Sequence, residues 1–149
     1  MQNIKKVSLA CDHAGYQTKE YLKSYLIELG YKVNDFGCFS EESVDYPDFA
    51  HPMANSVQKG ESEFGISLCG SGNGINMTVN KYEGIRSALC WNTELAKLAK
   101  EHNNANVCAL PARFISKEEA KDIINAFINT HFEGGRHLKR IEKIPIKNV

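Results

Sequence analysis

The sequence predicts an α/β protein built on a doubly wound, mainly parallel sheet with helices on both faces. Three observations predict it. Five short apolar runs alternate with segments whose apolar residues recur at helical spacing. The third run leads through a turn with three glycines, Gly70, Gly72 and Gly74, into a further helical pattern. The most chemically marked residues all follow predicted strands: Asp12-His13 after the first, Cys69 to Gly74 after the third, Arg113 after the fifth. In open parallel sheets, ligands bind beyond the carboxyl ends of the strands.

The elements follow in order. Val7-Ser8-Leu9-Ala10-Cys11 is the first strand, and Asp12-His13-Ala14-Gly15 its loop. Tyr21, Leu22, Tyr25, Leu26 and Leu29 share one face of a helix over Tyr16–Leu29, which Gly30 stops. Tyr31 to Phe36 reads as the second strand, closed by Gly37, and a polar loop runs from Cys38 to Pro47. Pro47 suits a helix start, and Phe49, Met53 and Val57 carry that helix to about Gln58. Phe64–Leu68 is the third strand, and Ile75 to Val79 begins the helix after the glycine turn. Gly84 to Trp91 reads as the fourth strand. Thr93 is the expected N-cap of a helix from Glu94 to about Glu101, and His102-Asn103-Asn104-Ala105-Asn106 reads as loop. Val107–Leu110 is the fifth strand, followed by Pro111-Ala112-Arg113. Ser116 and Glu119 form a capping box for a helix to about Asn129. Glu133-Gly134-Gly135 breaks the chain before an amphipathic stretch, Leu138 to about Ile144.

Length and composition bound the function. A chain of 149 residues is read as one domain, 1–149. Lysine plus arginine equals aspartate plus glutamate, 18 each, which gives no reason to expect nucleic acid or a membrane surface. The five cysteines include no C-x-x-C pair, so no zinc knuckle or redox pair is indicated, and free thiols suit a reducing compartment. With no transmembrane-length run and no adequate signal-peptide core, the reading is a cytoplasmic protein.

The glycine turn carries the chemistry. A strand that turns through glycines into a helix delivers backbone N–H groups and a positive dipole end to one point, which suits phosphate or a developing oxyanion. Cys69 stands at the strand end, where a helix N-terminus lowers a thiol pKa. The turn therefore offers either a base beside an anion hole or a tight βα turn with an inert buried cysteine. The dinucleotide fingerprint is not met, because Ile75 stands where G-x-G-x-x-G needs its last glycine. No Gly-Lys-Ser/Thr occurs, which excludes a P-loop. His13 and His102 each read equally as ligand-facing or as ordinary loop and helix-end histidines. Arg136 and Arg140, spaced i, i+4, place two guanidiniums on one helix face, either for a phosphate or as a solvated basic face.

Together these motifs resemble the B-type ribose-5-phosphate isomerases, a sugar-phosphate isomerase family that includes the galactose-6-phosphate isomerase subunits. The carriers are Cys11-Asp12-His13-Ala14-Gly15, Asp45-Tyr46-Pro47, Cys69 to Gly74, Asn80-Lys81 with Gly84-Ile85-Arg86, His102 to Val107, and Glu133 to His137 with Arg140. The resemblance implies a Rossmann-like three-layer α/β/α sandwich with a five-stranded sheet. It also implies a homodimer or dimer of dimers whose C-terminal segment, about 134–149, packs on a partner subunit, with active sites shared between subunits. No metal and no organic cofactor is implied. By position, Cys69 is the base that moves the proton between C2 and C1, His102 opens the furanose ring, and Ser71 supplies a hydroxyl where many relatives carry threonine. Asp12, His13, Tyr46, Gly70, Gly72, Asn73, Gly74 and Asn103 line the sugar site. His13, Arg113, Arg136 and Arg140 form the phosphate cluster. The implied reaction interconverts D-ribose 5-phosphate and D-ribulose 5-phosphate. A hexose phosphate (allose or galactose 6-phosphate) is the near alternative, and a non-catalytic sugar-phosphate-binding subunit the remote one. A branch of the family uses a glutamate on the following helix. Here Asn76 and Asn80 occupy that region and the thiol is present.

Overall fold

A computed structural model describes residues 3–147, so the ends of the predicted domain and of its C-terminal segment lie outside the described residues. Five strands form one parallel sheet: β1 (Lys6–Cys11), β2 (Lys32–Asp35), β3 (Phe64–Cys69), β4 (Ser87–Leu89) and β5 (Val107–Pro111). Six α-helices accompany them: α1 (Tyr16–Glu28), α2 (Tyr46–Gln58), α3 (Asn73–Val79), α4 (Thr93–Asn103), α5 (Lys117–Asn129) and α6 (Arg136–Ile141). The strand order is β2-β1-β3-β5-β4.

Two cores make the three layers. Leu22 and Leu26 of α1, Ala96 and Ala99 of α4, and Ile123, Ile124 and Phe127 of α5 pack on one sheet face. Ala50, Met53, Ala54 and Val57 of α2, with Ile75 and Val79 of α3, pack on the other. β3 and β5 are buried along their whole length, which explains why they read as continuous apolar runs. Gly65 is needed inside β3 because a Cβ there would stand 2.6 Å from the Met53 sulfur. The chain leaves β1 toward β2 and then returns past β1 to β3, so the switch point of the sheet lies between β1 and β3. Crevices open beyond the strand ends at such points.

Several boundaries differ from the expectation. β2 spans only Lys32–Asp35 and β4 only Ser87–Leu89; both are edge strands paired on one side, and beyond them single backbone bonds such as Phe36 N–H to Leu9 and Cys90 N–H to Ala109 replace the ladder. The side chain of Asn80 donates to the Ser87 carbonyl and accepts from the Ser87 N–H, both at 2.9 Å. α2 starts one residue earlier, with Asp45 before Tyr46 and Pro47 in its first turn. α3 starts at Asn73, directly after Gly72, whose φ of +77° sets the turn. The N-cap of α4 is Asn92, not Thr93. Its side chain accepts from the Leu95 N–H at 2.8 Å, leaving Thr93 as the first helical residue. The same helix runs on to Asn103, so His102 and Asn103 lie in its last turn rather than in a loop. Asn104 in the left-handed region ends it. α6 occupies Arg136–Ile141 instead of Leu138–Ile144: it begins directly after Gly135, and its last turn closes through Glu142 before Pro145. The capping box at Ser116 forms as expected.

Beneath β2, Lys19 is fully buried and bonds both carboxylate oxygens of Asp35 at 2.7 Å. Burial opposes both charges. The hydrogen bonds win, holding the Lys19 pKa above and the Asp35 pKa below their ordinary values. Asp35 also accepts from the Gly37 N–H, so the pair anchors the strand end that lies beside Cys11.

Candidate active site

The carboxyl ends of β1, β3 and β5 are stitched together by backbone bonds. The Asp12 N–H donates to Leu68, the Ala112 N–H to Cys69 and the Arg113 N–H to Gly70. The loops after β1 and β5 are thereby held against the end of β3. Gly15 makes this possible on the β1 side, since a Cβ there would sit 2.7 Å from the Leu68 Cβ. Asp12 is buried, and its Oδ1 accepts from the N–H groups of Ala14 and Gly15, which fixes the loop that carries His13. His13 Nδ1 accepts from the Val44 N–H at 3.2 Å, which ties down the long loop before α2. A neutral His13 then carries its proton on Nε2.

Cys69 is the last residue of β3, paired with Pro111 and 4 % exposed. After it, each glycine of the turn has a spatial reason. The Arg113 side chain lies across Gly70, with Nη1 and Cδ 3.2 Å from where a Cβ would stand. Gly72 abuts Leu89 and the Leu110 carbonyl. The Tyr46 ring lies on Gly74, its hydroxyl 2.6 Å from the site of a Cβ. Ser71 and Asn73 are exposed, and Ser71 Oγ accepts from the Asn73 N–H at 3.3 Å. Thus Asp12, His13, Tyr46, Cys69, Gly70, Ser71, Gly72, Asn73, Gly74 and Arg113 all belong to one end of the sheet. A thiol, a turn of backbone N–H groups and a guanidinium suit abstraction of a proton beside a carbonyl in a phosphate-bearing molecule.

The remaining predicted residues lie elsewhere. α4 returns the chain to the amino end of β5, where Val107 pairs with Gly65, whereas Cys69 pairs with Pro111 at the other end. Five residues of strand separate the two ends, roughly 15 Å at about 3.3 Å per residue. Within one chain, therefore, His102 and Asn103 are not brought to Cys69. They sit instead with the C-terminal segment. The Glu133 N–H donates to the Glu101 carbonyl, which sets the loop before α6 against the end of α4. The His137 ring stacks on His102 with centroids 4.3 Å apart and planes 15° apart. Arg136 and Arg140 follow on the exposed part of α6.

Two further residues shape this second group. Arg86 donates to the carbonyls of Asn103 and Asn104, closing the C-terminus of α4 with a cation. Burial lowers its pKa. His137 is buried beside Glu133, four residues away. The i, i+4 spacing of Glu133 and His137 was the available sequence signal, but the double glycine between them obscured a shared face. A cleft of about 320 Å³ opens between residues 80–86 and the chain from Ile141 to Ile146, apart from the Cys69 turn.

Comparison with known proteins bears on these two groups. A family model described as Ribose/Galactose Isomerase matches residues 7–144. Ribose-5-phosphate isomerase B of Escherichia coli is 40% identical over 141 residues, covering 95% of this chain and 95% of that protein. The crystal structure of a Thermotoga maritima ribose 5-phosphate isomerase superposes with a TM-score of 0.92 at 48% identity, over 95% of this chain and 98% of that one. A Mycoplasma genitalium ribose-5-phosphate isomerase B, solved with bound ribulose 5-phosphate, has a TM-score of 0.91 at 37% identity over 95% of both chains. The turn around Cys69, the fold that carries it and these likenesses agree, and the chain belongs to the ribose/galactose isomerase family.

Proposed function

We propose that the chain is an aldose–ketose isomerase that interconverts D-ribose 5-phosphate and D-ribulose 5-phosphate through an enediolate, a step of the non-oxidative pentose phosphate pathway. The observation that carries the reading is the meeting of the Cys69 thiol, the Gly70–Gly74 turn and the Arg113 side chain at the switch point of the sheet. Family membership and the relative with bound ribulose 5-phosphate support the substrate.

In this reading the Cys69 thiolate takes the C2 proton of the open-chain aldose. The same thiol returns the proton to C1 while the O2 hydroxyl proton passes to O1, relayed by the Ser71 hydroxyl, and the enediolate collapses to the ketose. The turn's N–H groups and the Ser71 hydroxyl stabilise the oxygen that gains charge. Ring opening moves a proton from the anomeric hydroxyl to the ring oxygen and needs a second acid/base. His102 fits that role chemically but stands at the wrong end of its own chain. The reading therefore includes a two-fold homodimer, alone or paired into a tetramer, in which the partner's His102, the partner's Asn103 and the partner's Arg136 and Arg140 complete the site. The C-terminal segment then serves the partner's chemistry. Arg113, His13 and the two partner arginines hold the phosphate, so that binding energy distant from the reacting carbons positions them. The five free thiols suit a reducing, cytoplasmic setting.

The test is turnover of ribose 5-phosphate by wild type and Cys69→Ala, with allose 6-phosphate as control. Pentose turnover that vanishes in the variant, while sugar-phosphate binding persists, is the expected result. Faster turnover of the hexose would keep the thiol chemistry and change the substrate. Full activity of Cys69→Ala would remove the assigned base.

A further inference from the structure

His102, Glu133 and His137 come from three separate features, the last turn of α4, the loop after α5 and the first turn of α6. They present their ligand atoms within 4.8 Å of one another. Two details distinguish the group from an ordinary surface cluster. The backbone bond from Glu133 to Glu101 fixes the loop to the helix end before any ligand arrives. His137 Nε2 is buried and makes no hydrogen bond among the described residues, and Glu133 Oε2 stands 3.3 Å away. The two form an i, i+4 imidazole–carboxylate contact, so both potential ligand atoms stand at one spot.

We propose that these three side chains form a binding site for a zinc-class divalent cation. Two imidazoles and one carboxylate with a fourth position left open suit Zn²⁺ or Co²⁺ rather than Mg²⁺, which prefers an octahedral oxygen shell. Metal bonds of about 2.1 Å to each ligand require donor atoms roughly 3.4 Å apart in a tetrahedral site. The near-parallel His102 and His137 rings point their lone pairs side by side, so His102 has to turn off the stack and Glu133 to swing inward, while the buried His137 stays in place. The site itself stands on this geometry alone. Its consequence rests on the proposed function: a cation on His102 takes the lone pair that ring opening needs, so the metal inhibits turnover.

The experiment titrates Co²⁺ into the intact protein and into His137→Asn, Glu133→Gln and His102→Asn, with circular dichroism to verify folding. About one Co²⁺ per chain is expected, with visible d–d bands of a nitrogen- and oxygen-ligated ion and no thiolate charge-transfer band. Each variant should weaken uptake at least about tenfold. The half-exposed Glu133 makes Glu133→Gln the variant safest for folding. In parallel, Zn²⁺ should remove a larger fraction of wild-type turnover than of the activity Glu133→Gln itself retains. No uptake, uptake unchanged in Glu133→Gln, or a thiolate band would overturn the site. Co²⁺ uptake by these ligands in a protein without isomerase turnover would keep the site and overturn the function.

Discussion

Cys69 and His102 stand at opposite ends of the parallel sheet, the thiol at the carboxyl end of β3 and the imidazole on the helix that leads to the amino end of β5. If each site joins one protomer's thiol to the other's imidazole, two inactive variants complement each other. Cys69→Ala and His102→Asn homodimers, mixed under conditions that allow subunit exchange, form heterodimers with one intact site each. Random exchange makes half the dimers mixed, so activity recovers to about a quarter of wild type. Absence of recovery despite demonstrated exchange would place both groups in one protomer's site.

Arg113 lies over Gly70, and a methyl group there would press on its Cδ and Nη1 at 3.2 Å. Gly70→Ala should displace the guanidinium. The expected kinetic signature is a KM for ribose 5-phosphate raised on the order of 10-fold, as for a weakened charged hydrogen bond, with a smaller change in kcat. Arg113→Lys should do the same, because a lysine cannot make the forked contact.

Gly74 is roofed by Tyr46, and a Cβ there would meet the phenol oxygen at 2.6 Å. Gly74→Ala should lose activity, and adding Tyr46→Phe should not restore it, because the ring carbons Cζ and Cε1 stay against the new methyl group. Recovery of activity in the double variant would show the hydroxyl alone to be the obstacle and would overturn the ring contact.

Lys19 and Asp35 form a buried ion pair, and removing one partner leaves a buried charge. Asp35→Asn should cost about 3–5 kcal/mol at neutral pH, read as a lowered midpoint in urea. The sign with pH follows from the shifts. The depressed Asp35 pKa contributes stability above the unfolded value near 3.9, and this is lost as pH falls through the folded pKa. The raised Lys19 pKa contributes stability that is lost as pH rises through its folded pKa. The gap between wild type and Asp35→Asn should therefore narrow in acid.

The sheet was legible because its strands are short apolar runs and its helices keep their spacing. β3 and β5, buried on both faces, are interrupted by one polar residue, the buried Ser67. The edge strands were overextended because Tyr31, Phe36, Ile85 and Trp91 are apolar yet lie outside the ladder. Residue types at the carboxyl ends of β1, β3 and β5 located the Cys69 group, since strand ends in a parallel fold converge. His102 was misplaced by its neighbours: three asparagines between residues 103 and 106 read as loop, whereas α4 extends through the first of them. Its stacking on His137 depends on a fold-back through Gly134 and Gly135 that no periodicity encodes.

At the β4 edge, the amide of Asn80 meets both the N–H and the carbonyl of Ser87. A single side chain thus occupies the rung that an incoming strand would need first. Together with the brevity of β4, this blunts the template on which partly folded copies would otherwise add end to side. Replacing Asn80 would reopen that rung, so its effect belongs to the protein's solubility during folding as much as to its native stability.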